Sequence, residues 1–276
     1  MQGGGSSSTS PSVTQNIFAP NKTVTIDGQT FEASYSVTGT SASVADASEG
    51  TGQAELSFDS SGHVKSLKIT GTKSNANFSS NSSTNSNLFA GTTSISNGFL
   101  IEPTAAGHSY QAFGVWDSQD SGSNGASGNV GAISGGYGTP ASSVPTSGSA
   151  SFTGAAIGTY VDNSGNSYIT GAISTMTTDF SSRTGTFSLS DTKTIARNGG
   201  TQGTATKLNV ASQAISWSSN SNTFSSGSIT NSSGMTGSVS GKFYGPSAEE
   251  VGGVFKFSGT GSSPERYIGA FGAKKQ

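Results

Sequence analysis

The chain has no cysteine in 276 residues. Disulfides, thiolate metal centres and a cysteine nucleophile are therefore excluded. Only two histidines are present, so a serine nucleophile activated by histidine would have to recruit His63 or His108. Charged residues make up only 10% of the chain, and the formal net charge is −2. Without a basic stripe, nucleic acid and anionic membrane surfaces are not expected partners. No apolar run approaches the roughly 20 residues that a membrane-spanning helix needs. No G-x-S-x-G elbow, P-loop, G-x-G-x-x-G or H-E-x-x-H is present, and no EF-hand pattern. This vocabulary points to a binding protein and not to an enzyme.

What is abundant is glycine, 40 residues, together with serine and threonine. Such a composition also suits disorder, but apolar residues spaced by two argue for folded strands. Phe31, Ala33, Tyr35 and Val37 share one face. Ala54, Leu56 and Phe58 repeat the pattern, Asp59–Gly62 reads as a turn, and Val64–Ile69 returns as the second arm of a hairpin. Residues 72–87 read as a loop. Short strands follow at Phe99–Ile101 and Ala112–Trp116. Residues 118–149 are rich in Gly, Ser and Pro and make the best domain boundary, either a low-complexity linker or a partly ordered connector. A short strand is possible within it at Ala132–Ile133.

Beyond the boundary, turn-bounded strands are expected near 150–161, 167–180, 183–190, 205–217, 222–229, 235–244, 251–258 and 266–274. Met235, Gly237, Val239, Gly241 and Phe243 fall on one face, and Val251, Gly253, Phe255 and Phe257 continue the pattern. The phase slips between Leu208/Val210 and Ile215/Trp217, which predicts a bulge near Ser212. Eight such strands can close into a barrel that side chains just fill. A β-sandwich is the alternative. Gly245–Glu250 carries Pro246 with two glutamates behind it, the chemistry of a helix start. One helical turn is expected there, with both carboxylates in solvent.

The segment Ala105–Trp116 holds the other candidate chemistry. Haem needs an axial nitrogen or phenolate within an aromatic slot. His108 and Tyr110, with Phe113 and Trp116, could supply those parts. The competing reading packs the aromatics into a core and leaves His108 on a surface loop. His63 reads as a solvated turn residue.

The segments Phe243–Gly253 and Gly269–Lys274, with Pro145–Gly154 upstream, resemble the C-terminal barrel of the transferrin-binding protein B family of Gram-negative surface lipoproteins. Gly114–Val115–Trp116 resembles a motif of the preceding domain. The opening Met-Gln-Gly-Gly-Gly-Ser-Ser-Ser resembles the tether that follows a lipidated cysteine. One-lobed relatives include hemophilin-type haem binders and factor H binding protein. The resemblance implies an all-β fold: a flexible Gly/Ser tether at 1–15, an N-terminal β-rich handle with its connector at 16–145, and an eight-stranded antiparallel barrel at 146–276.

It also implies a monomer at the outer-membrane surface, held there only by a lipid anchor, or a secreted protein. The implied function is capture of haem, a haem protein or another iron source for a TonB-dependent receptor. The alternatives are a host-protein binder of the factor H binding type and a structural surface lipoprotein. Haem is the candidate cofactor, through His108 and Tyr110.

Overall fold

The computed structural model describes residues 16–80, 87–93, 96–122, 125–197 and 200–276. The proposed tether at 1–15 lies outside the described residues, as do 81–86 of the expected loop.

In the first half, β1 (Thr23–Thr38), β2 (Ser41–Val44), β3 (Ser48–Phe58), β4 (Val64–Thr70), β5 (Asn75–Ser79), β6 (Leu88–Thr92), β7 (Asn97–Ile101), β8 (Gln111–Gly122) and β9 (Gly125–Gly136) form one antiparallel sheet. Its order is β5-β4-β3-β1-β9-β8-β7-β6, with β2 paired to β1. The outermost strands are joined by a single bridge, Ser80 to Gly91, so this sheet is nearly a closed barrel. Inside it pack Ile26, Leu56, Phe58, Leu67, Phe78, Phe89 and Trp116.

The second half contains β10 (Ser149–Val161), β11 (Ser167–Asp179), β12 (Thr184–Ala196), β13 (Gly203–Thr204), β14 (Val210–Ser216), β15 (Thr223–Ser225), β16 (Ile229–Thr230), β17 (Thr236–Tyr244), β18 (Glu250–Ser258) and β19 (Arg266–Lys275). Strands β10-β11-β12-β14-β15-β17-β18-β19 form a ring, closed by the β10–β19 and β11–β12 pairings; β13 and β16 are short additions to β12 and β17. The only helical segments among the described residues are single 3-10 turns at Ala141–Ser143 and Thr206–Leu208.

Alternation along the strands decides what faces where. The odd-numbered apolar residues of β17, β18 and β19, from Val239 through Phe255 to Phe271, all fill the closed barrel. Their even-numbered neighbours Val254, Ile268 and Ala270 face outward and meet Phe31, Ala33, Tyr35, Phe113, Val115 and Ala132 of the first sheet. The molecule therefore has three cores: one inside each barrel and one between them.

Three expectations are corrected. The Asn/Ser-rich stretch after Gly71 contains β5, whose Phe78 is buried in the first barrel. The Gly/Ser-rich stretch from 118 is mostly the β8–β9 hairpin, and β9 is an inner strand between β1 and β8. Small residues there let the neighbours approach closely, a pattern that looks like a linker in composition. The crossing between sheets occupies only 137–148. Gly245–Ala248 is a turn and not a helix, because Gly245 (φ +86°) and Ala248 (φ +62°) both take the left-handed conformation. The bulge is present: Phe187 pairs with Gln213 but Leu189 pairs with Val210, which places one extra residue in β14 at Ala211–Ser212.

Glu102 is a buried carboxylate of the first barrel, 3.1 Å by both oxygens from the Val64 N–H. Burial pushes its pKa above the ordinary 4.5, and the Val64 N–H and the nearby His63 only partly offset that. A raised folded-state pKa gives stability that is full below the unfolded value and is lost as pH rises through the folded value. Glu102→Gln is thus expected to melt higher than the parent at about pH 7, with the difference vanishing once the parent carboxyl is protonated, at about pH 4. Paired thermal melts at the two pH values check this; a gain that persists at the lower pH would contradict it.

Candidate functional site

The polar residues with the most unusual environments gather where the two barrels meet. The loop that enters β8 lies across the end of β18. Glu250, 1% exposed, accepts hydrogen bonds from the backbone N–H of Ser109 (2.6 Å) and of Tyr110 (3.2 Å). His108 is also buried, with Nδ1 3.5 Å from the same carboxylate. Its ring meets Phe113 edge-on, with centroids 5.8 Å apart. Gln111 is fully buried and donates through Nε2 to the carbonyls of Val251 (2.7 Å) and Ala273 (3.3 Å) in the second barrel. Its amide also lies 3.4 Å from His108 Nδ1.

The crossing segment is tied into the same region. Tyr137 N–H donates to the Tyr110 carbonyl, Gly245 N–H donates to the Tyr137 carbonyl, and Thr139 N–H donates to the Phe243 carbonyl. Tyr244 is fully buried, and the loss of solvent pushes its phenol up to about 12.

Two further polar ties flank this seam. Arg197, at the end of β12, ion-pairs with the buried Asp117 of β8 and donates to Thr159 Oγ1 at 3.0 Å. Asp117 also accepts from Asn97 N–H (3.1 Å) and Gln119 Nε2 (2.9 Å). On the other flank, Lys256 of β18 donates to the Ala47 carbonyl and lies over the ring of Phe31. Removing one partner of a buried pair strands the other charge, at a cost of about 3–5 kcal/mol. Arg197→Met should therefore destabilise by about 3 kcal/mol in urea unfolding; a change within error would show that water replaces the guanidinium.

The candidate haem set is divided by this geometry. His108, Tyr110 and Phe113 lie on the seam. Trp116 points into the first barrel, where its indole donates to Ser74 Oγ at 3.1 Å. His63 is a turn residue, its N–H bonded to Asp59 Oδ1 at 3.0 Å. Among the described residues no group of three or more His, Asp or Glu is placed to hold a metal ion.

Glu250, expected in solvent, is instead the acceptor that fixes the loop of the other barrel. Gln111, Asp117 and Arg197 were not singled out from the sequence. One signal was available. Gly252 and Gly272 fall on the outward phase of β18 and β19, where no interior ring needs room. A glycine there marks close approach by another element. A Cβ on Gly252 would sit 1.9 Å from Gln111 Oε1, and one on Gly272 would sit 2.4 Å from Phe113 Cε1.

Residues 144–275 match the family model described as the C-lobe and N-lobe beta barrels of Tf-binding protein B. That span, just under half of the chain, is similar to the barrels of that family. Both seam glycines and Glu250 lie within the matched span. Solved transferrin-binding protein B structures extend the likeness to the first half as well. The protein from Haemophilus parasuis Hp5, described as a vaccine antigen, is 13% identical over 92% of this chain and 76% of its own, with a TM-score of 0.50. Isotype 1 from serogroup B Neisseria meningitidis is 20% identical over 89% of this chain, with a TM-score of 0.49. The chain spans 43% of the length of that Neisseria protein. At such identities the likeness is one of fold. No curated protein sequence matches.

Proposed function

We infer that the protein is a binding component displayed at the outer surface of a Gram-negative cell, and that its cargo is an iron-carrying host protein. The observation that carries this reading is the transferrin-binding protein B barrel over residues 144–275. The seam supports a rigid platform: a buried apolar core together with buried polar ties from both sides holds the barrels in one relative orientation. A pre-ordered surface loses less entropy when it captures a large partner. The captured iron would then pass to a TonB-dependent receptor.

Haem itself is the second reading, through His108 and Tyr110. In the closed seam His108 lies between Glu250, Gln111 and Phe113, so ligation would require the seam to open.

Surface-immobilised protein should be exposed in turn to iron-loaded transferrin, lactoferrin and haemoglobin, with a Soret titration of free haem in parallel. Saturable binding of an iron carrier, retained in His108→Ala, is expected. If all iron carriers fail and a serum pull-down recovers a protein without iron, the host-protein reading replaces this one. A Soret shift lost in His108→Ala would establish haem as the cargo.

A further inference from the structure

We propose that the outer face of β10, β11 and β12, centred on Gly171, is a docking surface for a second copy of this chain. Among the described residues, Ile173 and Ile195 are the only large hydrophobics left exposed, at 44% and 45%. They stand on the outward face of adjacent strands. Each lies directly opposite a residue at the edge of the core between the barrels: Ile173 pairs with Ala155 of β10, and Ile195 pairs with Ile169 of β11. Ala155 and Ile169 both pack against that core. The apolar surface that joins the two barrels therefore runs out onto the wall of the closed barrel and is uncovered there.

Isolated exposed isoleucines are ordinary, but Gly171 sets this pair apart. It falls on the same face, between Ile169 and Ile173. A Cβ there would meet nothing within 4 Å, and the backbone is not left-handed. Every other strand glycine of the closed barrel, except Gly203 in the two-residue β13, has an atom within 2.6 Å of that position. Packing inside the chain explains those glycines and leaves Gly171 unexplained. A glycine weakens a strand interior, and it is found there where something outside the strand approaches closely.

A two-fold contact needs one face that complements itself. This face does so in shape, since the Gly171 notch lies beside the isoleucine knobs. It does so in charge as well. Lys193, opposite Gly171, ion-pairs at 2.8 Å with Asp191, which the bulge in β12 turns outward with φ +51°. Both side chains are partly exposed, so a rotated copy can set each lysine against the other chain's aspartate. Thr153, Thr175, Ser188 and Ser190 continue the face without charge. A strongly charged partner would find no uncompensated charge here, whereas a copy carrying the same balanced pair fits. Stable interfaces bury roughly 800 Å² per partner. A face three strands wide is smaller, so the dimer should be weak and concentration-dependent. It departs from the monomer that the family resemblance implies, and it does not rest on the iron-cargo reading.

Sedimentation velocity on the full chain is the test. The parent should move from monomer toward dimer between about 10 and 500 µM. Gly171→Glu sets like charges against each other and should weaken pairing at least about tenfold. Its melting temperature should remain within about 2 °C of the parent, because the added side chain points into open space. Ile173→Ser should weaken pairing too, and reads the same face independently. The chain has no cysteine, so Gly171→Cys should oxidise to a linked dimer at least about tenfold faster than Ser225→Cys, on the far side of the ring. A parent that stays monomeric throughout overturns the proposal, as does a Gly171→Glu dimer as tight as the parent's. Equal cross-linking at both positions overturns it as well. A monomeric parent whose capture of an iron carrier is lost in Gly171→Glu gives the face to the cargo instead.

Discussion

Glu250→Ala should cost about 3 kcal/mol, because two backbone donors lose their shared acceptor at once and a buried imidazole loses its carboxylate neighbour. Each hydrogen bond to a charged group contributes about 1.5–3 kcal/mol, and a buried donor left unpaired keeps its desolvation penalty. The Ser109 and Tyr110 N–H groups point at a carboxylate that is itself 1% exposed, so the acceptor they lose lies below the surface. For a chain of this size the melting temperature should fall by roughly 6–12 °C. Glu250→Gln retains one acceptor oxygen and should lose less.

The site of the loss is as informative as its size. Amide exchange at Ser109 and Tyr110 should accelerate before exchange in the interior strands of either barrel, as local opening of a seam requires. A variant that melts within a degree of the parent, with those amides still protected, would show that the carboxylate is dispensable to docking.

How far the sequence reveals the molecule depends on which core a residue serves. Period-two alternation is enough to find the interior of the closed barrel, because residues such as Val239 and Phe255 face a space filled mainly by neighbours on the same ring of strands. The phase slip around Ser212 was legible for the same reason. The third core is different. Phe31, Ala33 and Tyr35 were recognised as one face, but alternation does not say which face looks inward and which meets another domain. Both faces of β1 are buried from Thr30 to Ala33.

Polar residues misled in a consistent way. A carboxylate near a proline usually starts a helix, which would leave Glu250 in solvent. The left-handed Gly245 and Ala248 redirect the chain and carry the carboxylate under the neighbouring loop. The chemistry of His108 is visible in the sequence, but only the fold brings it beside Glu250, far away in sequence. The β8–β9 hairpin was obscured by its glycines and serines, which report close packing and not flexibility.

The outward glycines allow the docking argument to be tested within a single barrel. Gly272 and Gly171 both sit on barrel strands without an interior role for a side chain, and they should respond to substitution in opposite ways. A Cβ on Gly272 would approach Phe113 ring atoms to 2.4 and 2.6 Å and Gln111 Cδ to 3.1 Å. Phe113 is fully buried and cannot swing aside. Overpacking of this kind costs about 1–3 kcal/mol and sometimes more, so Gly272→Val should reach about 3 kcal/mol and loosen the seam. Gly171 has nothing within 4 Å of the same position. Gly171→Ala should be neutral, or stabilise by about 0.5 kcal/mol through the entropy of the unfolded chain. Phe113→Ala should then recover part of the Gly272→Val loss, with a coupling of about 0.5–3 kcal/mol in a double-mutant cycle. Equal losses at Gly272 and Gly171 would mean that glycine is needed at both for strand geometry. Additive losses at Gly272 and Phe113 would mean that the ring and the glycine do not meet across the seam.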